Sequence, residues 1–301
     1  MTRQLLTITL LLITLLAGTA AQTPEKLRQQ VQEIIASKKA VVGVQIIGNN
    51  DKDTLTLGGT RHYPMQSVFK LHIALAVLSG VDKGTYRLDQ KIEIRKQDLL
   101  PGLYSPLREK YPNGATLPLS EVLSYTVSAS DNVGCDVLLR LLGGPAVVED
   151  YFRKNKFSDI SIRINEEKQQ SDWEAQFSNW TTPAAANQVL ARFYYNTEKL
   201  LSDASHNFIW QLMRDTDTGR NRIRGRLPAQ TVVAHKTGSS GTNPAGISAA
   251  VNDIGIVFLP GGQHFFISVF VTDSKETTET NEKIIADIAK AAWEYFSSRA
   301  E

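Results

Sequence analysis

Strand-like segments sit at both ends of this chain, and helical periodicity fills the middle. Near the start, Ala40 to Gly48 alternates apolar and small residues, Asn49-Asn50-Asp51 makes a turn, and Asp53 to Gly58 supplies a second arm. Near the end, Thr231–Thr237, Ile247–Phe258 and His264–Thr272 are rich in Val, Ile and Phe, with Gly261-Gly262 punctuating the last two as a hairpin. From Arg61 onward the intervening chain reads as helices over Ser67–Ser79, Leu119–Ala129, Asn132–Leu142, Pro145–Asn155, Pro183–Tyr195 and Asp203–Arg214. Amphipathic helices flank the strands at Gln22–Lys39 and Glu276–Ser298. Strands at both ends suggest that the termini meet in one sheet. The expected fold is α/β in the α+β sense: an antiparallel sheet flanked by helices, built from both chain ends, plus an inserted all-α lobe. Residues 22–60 and 215–301 form the sheet lobe and residues 61–214 the helical lobe. The polar, aperiodic run from Ser158 to Thr181 is expected to be a large surface loop of that lobe. Loops of such length are usually functional or disordered, and a cleft between two lobes is the default place for a site.

Bulk properties exclude several classes of function. With 33 basic and 31 acidic residues the net charge is +2, which gives no electrostatic reason to expect nucleic acid or an anionic membrane as partner. Cys135 is the one cysteine, so no intrachain disulfide can form, and its apolar helical surroundings suggest a buried structural thiol. His62, His72, His206, His235 and His264 are scattered, and no Cys/His group has metal-ligand spacing, so neither metal nor cofactor is expected. At the N-terminus, Arg3 precedes an apolar run from Leu5 to Leu16 and then Ala17-Gly-Thr-Ala-Ala21. That pattern is a secretory signal peptide over residues 1–21. The run is short for a membrane span, which needs about 20 apolar residues. No later segment is long and apolar enough to span a bilayer, so the expected product is exported, periplasmic and soluble. No apolar stripe is left over once both lobes are assembled, so a monomer is expected.

Chemistry enters at Ser67-Val-Phe-Lys70. At the start of a helix, residues three apart share a face, which places the Lys70 amine within reach of the Ser67 hydroxyl. A serine is a poor nucleophile without a neighbouring base, and a lysine can be one. Orphan N–H groups at the helix N-terminus could receive an oxyanion. Three further patterns accompany it: Ser130-Asp131-Asn132 at a junction between two helices, Lys236-Thr237-Gly238 at the end of a strand, and Glu166 in the long polar loop. Singly, each has an ordinary reading as a cap, a strand end or a solvated charge.

Together and in this order they resemble the class A serine β-lactamases, whose motifs are Ser-x-x-Lys, Ser-Asp-Asn and Lys-Thr-Gly. The resemblance covers the mature chain, including Tyr104-Ser-Pro106. It implies hydrolysis of the β-lactam amide of penicillins and cephalosporins, with antibiotic resistance as the outcome. By that resemblance Ser67 is the acyl-accepting nucleophile, and Lys70 and Glu166 are the two possible bases. Glu166 activates the water of deacylation, and Ser130 relays a proton to the leaving nitrogen. Asn132 meets the substrate amide, while Lys236 and Thr237 take its carboxylate. The backbone N–H groups of Ser67 and Ser239 form the oxyanion hole, with Gly238 allowing close approach. Arg222 resembles a supplementary guanidinium for the carboxylate, with a surface arginine as the alternative. Tyr104 resembles an aromatic flanking the ligand, with simple packing as the alternative.

The chain departs from the commonest members in its long loop. The run Asn165-Glu166-Glu167-Lys168-Gln169-Gln170 places Gln170 where an Asn shares the hydrolytic water with Glu, and Glu167 leaves a second carboxylate in contention. Arg163 is shifted by one and Asn179 replaces an Asp, so the loop is expected to be braced differently, as in the branch with Bacteroides-type cephalosporinases and related extended-spectrum enzymes. The Gly-rich stretch from Ser239 to Ala249 suggests a roomier site edge. A penicillin-binding D,D-peptidase and a β-lactam sensor share the Ser-x-x-Lys chemistry and are the competing readings. Glu166 favours hydrolysis over both.

Overall fold

The computed structural model describes residues 23–299, and the expected signal peptide at 1–21 lies outside them. Five strands form the main sheet: β1 (Val41–Gly48), β2 (Asp53–Leu57), β3 (Val233–Ser239), β4 (Val251–Phe258) and β5 (His264–Thr272). Their order is β2-β1-β5-β4-β3, and every neighbouring pair is antiparallel. In the central pairing of β1 with β5, Val41 stands opposite Thr272 and Ile46 opposite Ile267. The two ends of the chain therefore meet in one sheet, as expected.

Helices cover both faces. Besides a single short turn of helix at Pro106–Lys110, they are α1 (Pro24–Ala36), α2 (Phe69–Asp82), α3 (Leu119–Val127), α4 (Asn132–Leu142), α5 (Pro145–Lys154), α6 (Glu166–Ser171), α7 (Pro183–Tyr195), α8 (Asp203–Arg214) and α9 (Thr278–Ser297). Strand side chains alternate between faces, and this sorts the core into two. Val44, Ile46, Ile267 and Val269 pack against Leu27 and Val31 of α1 and Ile284, Ile288 and Phe296 of α9. Ile254, Phe266 and Phe270 point the other way, into the interior shared with Leu71, Leu138, Val189 and Phe193. Helix α2 is buried without a break from Phe69 to Ser79. A helix that is apolar all round has other elements on every side, so α2 is a rigid post beside which the site is built.

Four expectations change. The middle of the chain is not purely helical, because Lys91–Ile94 and Ala115–Pro118 pair as a small antiparallel ribbon. Four-residue strands are too short to display a period. The 158–181 segment is more ordered than a surface loop: it holds α6, a 3₁₀ turn at Ala175–Ser178 and the paired strands Ile160–Ser161 and Trp180–Thr181. Most of its buried residues are polar, among them Glu166, Gln169, Gln176 and Asn179; Gln169 bonds to Glu166 and Asn179, and Gln66 links it to Gln176, so no apolar pattern marks them. Ser67 lies on a 3₁₀ turn, Gln66–Val68, just before α2 and not within it. Gln66 has a left-handed backbone, φ +48°, which breaks the entry to the helix. Strand β4 begins at Val251 and not at Ile247, because Ser248 instead bridges Thr242 and Ser274.

Candidate active site

Between α2, α4, α6 and the free edge of β3 lies a cleft of about 360 Å³, lined among others by Ser67, Tyr104, Ser130, Asn132, Gln170 and Ser239. Lys70, one turn from Ser67, is fully buried. Its Nζ donates to Ser67 Oγ at 2.6 Å, to Asn132 Oδ1 at 2.7 Å and to a carboxylate oxygen of Glu166. All three ammonium donors thus have acceptors, and the nucleophile, the amide and the acid share one cation.

Glu166 reaches this point because α6 is capped from two sides. Asn165 Oδ1 accepts from Lys168 N at 3.1 Å, and Asp136 of α4 accepts from Glu166 N at 2.7 Å, Glu167 N at 3.0 Å and Asn165 Nδ2 at 3.1 Å. Burial pushes the Asp136 carboxyl up to about 6, against the pull of those N–H groups. Glu167 turns outward to solvent, so one of the two candidate acids faces Lys70. Sequence reasoning missed Asp136. The available signal was its position one turn after Asn132, on the same face of α4.

The amide touching Glu166 is Gln169, whose Nε2 donates to Oε2 at 3.1 Å. Gln170, the residue singled out from the sequence, is exposed and lines the cleft. Gln169 belongs to a buried chain of amides: it donates to Gln66 Oε1 at 3.3 Å, and Gln66 Nε2 donates to Gln176 Oε1 at 2.7 Å. Asn179 closes the segment. Its Oδ1 accepts from Arg163 N at 2.8 Å and Ile164 N at 3.1 Å, and its Nδ2 donates to Ile164 O at 3.0 Å and Gln169 Oε1 at 3.1 Å. The Arg163 side chain points away, to Glu149. The brace is therefore a neutral amide and not an ion pair.

Across the cleft, Ser130 has a left-handed backbone, φ +57°, and its Oγ accepts from Lys236 Nζ at 2.8 Å. The next residue, Asp131, caps α4 through Gly134 N at 2.8 Å and also accepts from Leu107 N at 2.7 Å and Ser105 Oγ. Asn132 N donates to Tyr104 O at 3.0 Å, which fixes Tyr104 on the rim, where the residue is 55% exposed. Lys236 is fully buried; burial first, then the charge of Lys70, brings its ammonium down to about 7. Thr237 Oγ1 shares a hydrogen bond with Thr218 Oγ1 at 2.7 Å. Gly238 packs on the nucleophile turn so closely that a Cβ would fall 2.3 Å from Met65 O. The same Cβ would fall 3.3 Å from Ser67 N, so β3 and the nucleophile turn are in direct contact.

Arg222 is no surface arginine. It is buried, with Nε on Glu282 at 3.2 Å, Nη1 on Gly238 O at 3.0 Å and Asn252 O at 2.8 Å, and Nη2 on Ser239 Oγ at 2.6 Å. Most of its donors are spent bracing the end of β3. Cys135 is a buried free thiol, raised well above its usual value by burial.

The sequence model of a β-lactamase enzyme family matches residues 26–296 of this chain. The chain belongs to that family. It is 53% identical to the β-lactamase VEB-1 of Pseudomonas aeruginosa over 279 residues, covering 93% of each chain. Among solved structures it matches the TLA-1 extended-spectrum β-lactamase with a TM-score of 0.89 and 46% identity, covering 92% of this chain and 100% of that one. It also matches a class A β-lactamase from Bacteroides cellulosilyticus with a TM-score of 0.87 and 38% identity, covering 92% and 99% of the two chains. The protein is thus a class A serine β-lactamase by family, a hydrolase with the antiparallel sheet and flanking helices of its relatives.

Proposed function

We propose that this β-lactamase opens the β-lactam amide of penicillins and cephalosporins through an ester on Ser67, which a Glu166-activated water then hydrolyses. The observation that carries the proposal is the triple contact of Lys70 Nζ with Ser67 Oγ, Asn132 Oδ1 and Glu166. Proton transfer from Lys70 to Glu166 would leave a neutral amine facing the hydroxyl; a water on Glu166 offers the second route. Ser67 Oγ attacks the carbonyl carbon, its proton passes to the base, and the carbonyl oxygen takes the charge between the N–H groups of Ser67 and Ser239. Ser130, joined to Lys236, delivers a proton to the nitrogen as the C–N bond breaks. Lys236 and Thr237 hold the substrate carboxylate, with Arg222 acting through Ser239. Tyr104 and Gln170 flank the ligand on opposite rims.

In the second half-reaction Glu166 takes a proton from water, which adds to the ester and releases Ser67. Gln169 holds the Glu166 carboxylate by its free oxygen. A depression of about 240 Å³, lined by Gln66, Gln169, Trp173, Gln176 and Ser240, adjoins the cleft. It supports the admission of bulky cephalosporin side chains. The proposal extends to export by residues 1–21, action in the periplasm as a monomer, and two lobes divided at residues 61 and 214. A peptidase or a sensor has no need of a carboxylate poised on the lysine. The test is Glu166→Ala mixed with benzylpenicillin and examined by mass spectrometry. An acyl adduct on Ser67 that persists for minutes is expected. Normal turnover by that variant, or an adduct on another side chain, would refute the mechanism.

A further inference from the structure

Ser67 follows a residue in a costly conformation. Gln66 has φ +48°, a region that a non-glycine residue keeps only when its surroundings hold it there. If the peptide between Met65 and Gln66 turned over, Gln66 would be free to return to ordinary backbone. Ser67 would then leave its place, because Met65 O opens the 3₁₀ turn by accepting from Val68 N at 3.2 Å. The direction of the Met65 carbonyl therefore sets the turn, and something must hold it.

Asn252 of β4 makes that contact. It is buried, and its Nδ2 donates to Pro64 O at 2.8 Å and to Met65 O at 3.2 Å. The acceptors assign the amide, since two carbonyls can receive only N–H groups. Its Oδ1 is buried and has no hydrogen-bond partner among the described residues. An apolar side chain of similar size would avoid an unpaired acceptor, so the use of this amide lies in its two donors. Strand register brings it to the turn. Asn252 stands opposite Gly238, on the face of β4 that also carries Ile254 and Ile256 into the interior of the helical lobe. Gly238 leaves the space open, because a Cβ on it would fall 2.3 Å from the same Met65 O. Arg222 fixes the rung: its Nη1 donates to Asn252 O at 2.8 Å and to Gly238 O at 3.0 Å. The amide side of the same residue is held as well, where Met65 N donates to Asn179 O at 2.9 Å.

We propose that Asn252 is a latch on the Met65–Gln66 peptide that holds the Ser67 turn in its reactive conformation. The proposal rests on the reading of Ser67 as the nucleophile, with its N–H in the oxyanion hole. Asn252 touches no substrate and is a positioning residue. The test compares Asn252→Leu, close in volume and without donors, with wild type, and repeats the comparison in the Glu166→Ala background, where the ester accumulates. Asn252→Leu should lower the acylation rate of a chromogenic cephalosporin by about 10- to 100-fold, the scale of a misplaced reacting group. Stopped-flow absorbance reads that rate, and circular dichroism gives the folded fraction. In the Glu166→Ala background, the infrared C=O band of the benzylpenicillin ester should move to higher wavenumber as its carbonyl loses N–H donors. A residue that served packing alone would lower the melting temperature and leave rate and band in place; that result in a folded Asn252→Leu overturns the proposal alone. If Glu166→Ala by itself forms no ester on Ser67, the nucleophile reading falls and takes the proposal with it. Should Asn252→Leu not fold, NMR of the ¹⁵N-labelled wild type decides: two slowly exchanging side-chain N–H protons on Asn252 support the latch, and rapid exchange of either overturns it.

Discussion

Replacing Gly238 by Ala tests how closely the cleft is built. In the native chain β3 crosses the nucleophile turn with nothing between them. An added methyl would lie 2.3 Å from Met65 O, 3.1 Å from Gln66 Cβ and 3.3 Å from Ser67 N. Non-bonded heavy atoms rest near 3.5 Å, so the strand and the turn must part by about 1 Å. Two of the three obstructing atoms are backbone, and Gln66 is held by Gln169 and Gln176, so no side chain can swing aside to absorb the strain. The two proposed oxyanion donors stand on the parted elements, Ser67 on the turn and Ser239 next to the substitution. Losing one such donor costs about 10²–10³ in turnover, and a displacement near 1 Å can cost about 10² through misalignment alone. Gly238→Ala should therefore lower the acylation rate of a chromogenic cephalosporin by about 10²-fold or more. Pre-steady-state absorbance gives that rate, and circular dichroism checks that the variant is folded. A folded Gly238→Ala that acylates within about threefold of wild type would show that the two elements are not in register for the oxyanion, and the reasoning would fail.

Further outcomes concern the segment carrying Glu166. The Asp136 carboxyl, at about 6 when folded against 3.8 unfolded, binds its proton more tightly in the native state, so its contribution to stability is present below pH 4 and lost as pH rises through about 6. The gap from 3.8 to about 6 corresponds to about 3 kcal/mol. Urea midpoints of wild type should therefore fall relative to Asp136→Asn between pH 4 and pH 7, and parallel curves would exclude the effect. Asn179→Asp should destabilise by about 2–4 kcal/mol, because a carboxylate would face Ile164 O and Gln169 Oε1 with no proton to donate. Thermal melts would read that loss, and a rise in burst amplitude with cephalosporin would show that deacylation is slowed more than acylation.

Several elements were legible because their start signals are local. Helices α4, α7 and α8 begin where Asp131, Thr182 and Ser202 each accept a hydrogen bond from the backbone three residues on, and their bounds match those read from the sequence. The facing of Ser67 and Lys70 was legible for the same reason, since three residues along a tight turn fix who meets whom. The partners of Glu166 were not. Whether Gln169 or Gln170 touches it depends on the phase of a six-residue helix that has no apolar stripe and is capped by Asp136 from a distant element. Arg222 likewise could be noticed as a cation but not placed, because its acceptors are carbonyls of Gly238 and Asn252, and carbonyls carry no mark in a sequence.

The pairing of Val41 with Thr272 has a consequence for how the protein comes into being. The middle rung of the sheet joins the earliest strand to the latest, so a ribosome must finish almost the whole polypeptide before that rung can close. Contacts so far apart in the chain make for slow closure. Lys236 and Ser239, which the proposed mechanism uses, lie within that late portion, so on that mechanism a product cut short before them would lack part of its centre. Synthesis runs from one end to the other, whereas assembly waits for both ends at once.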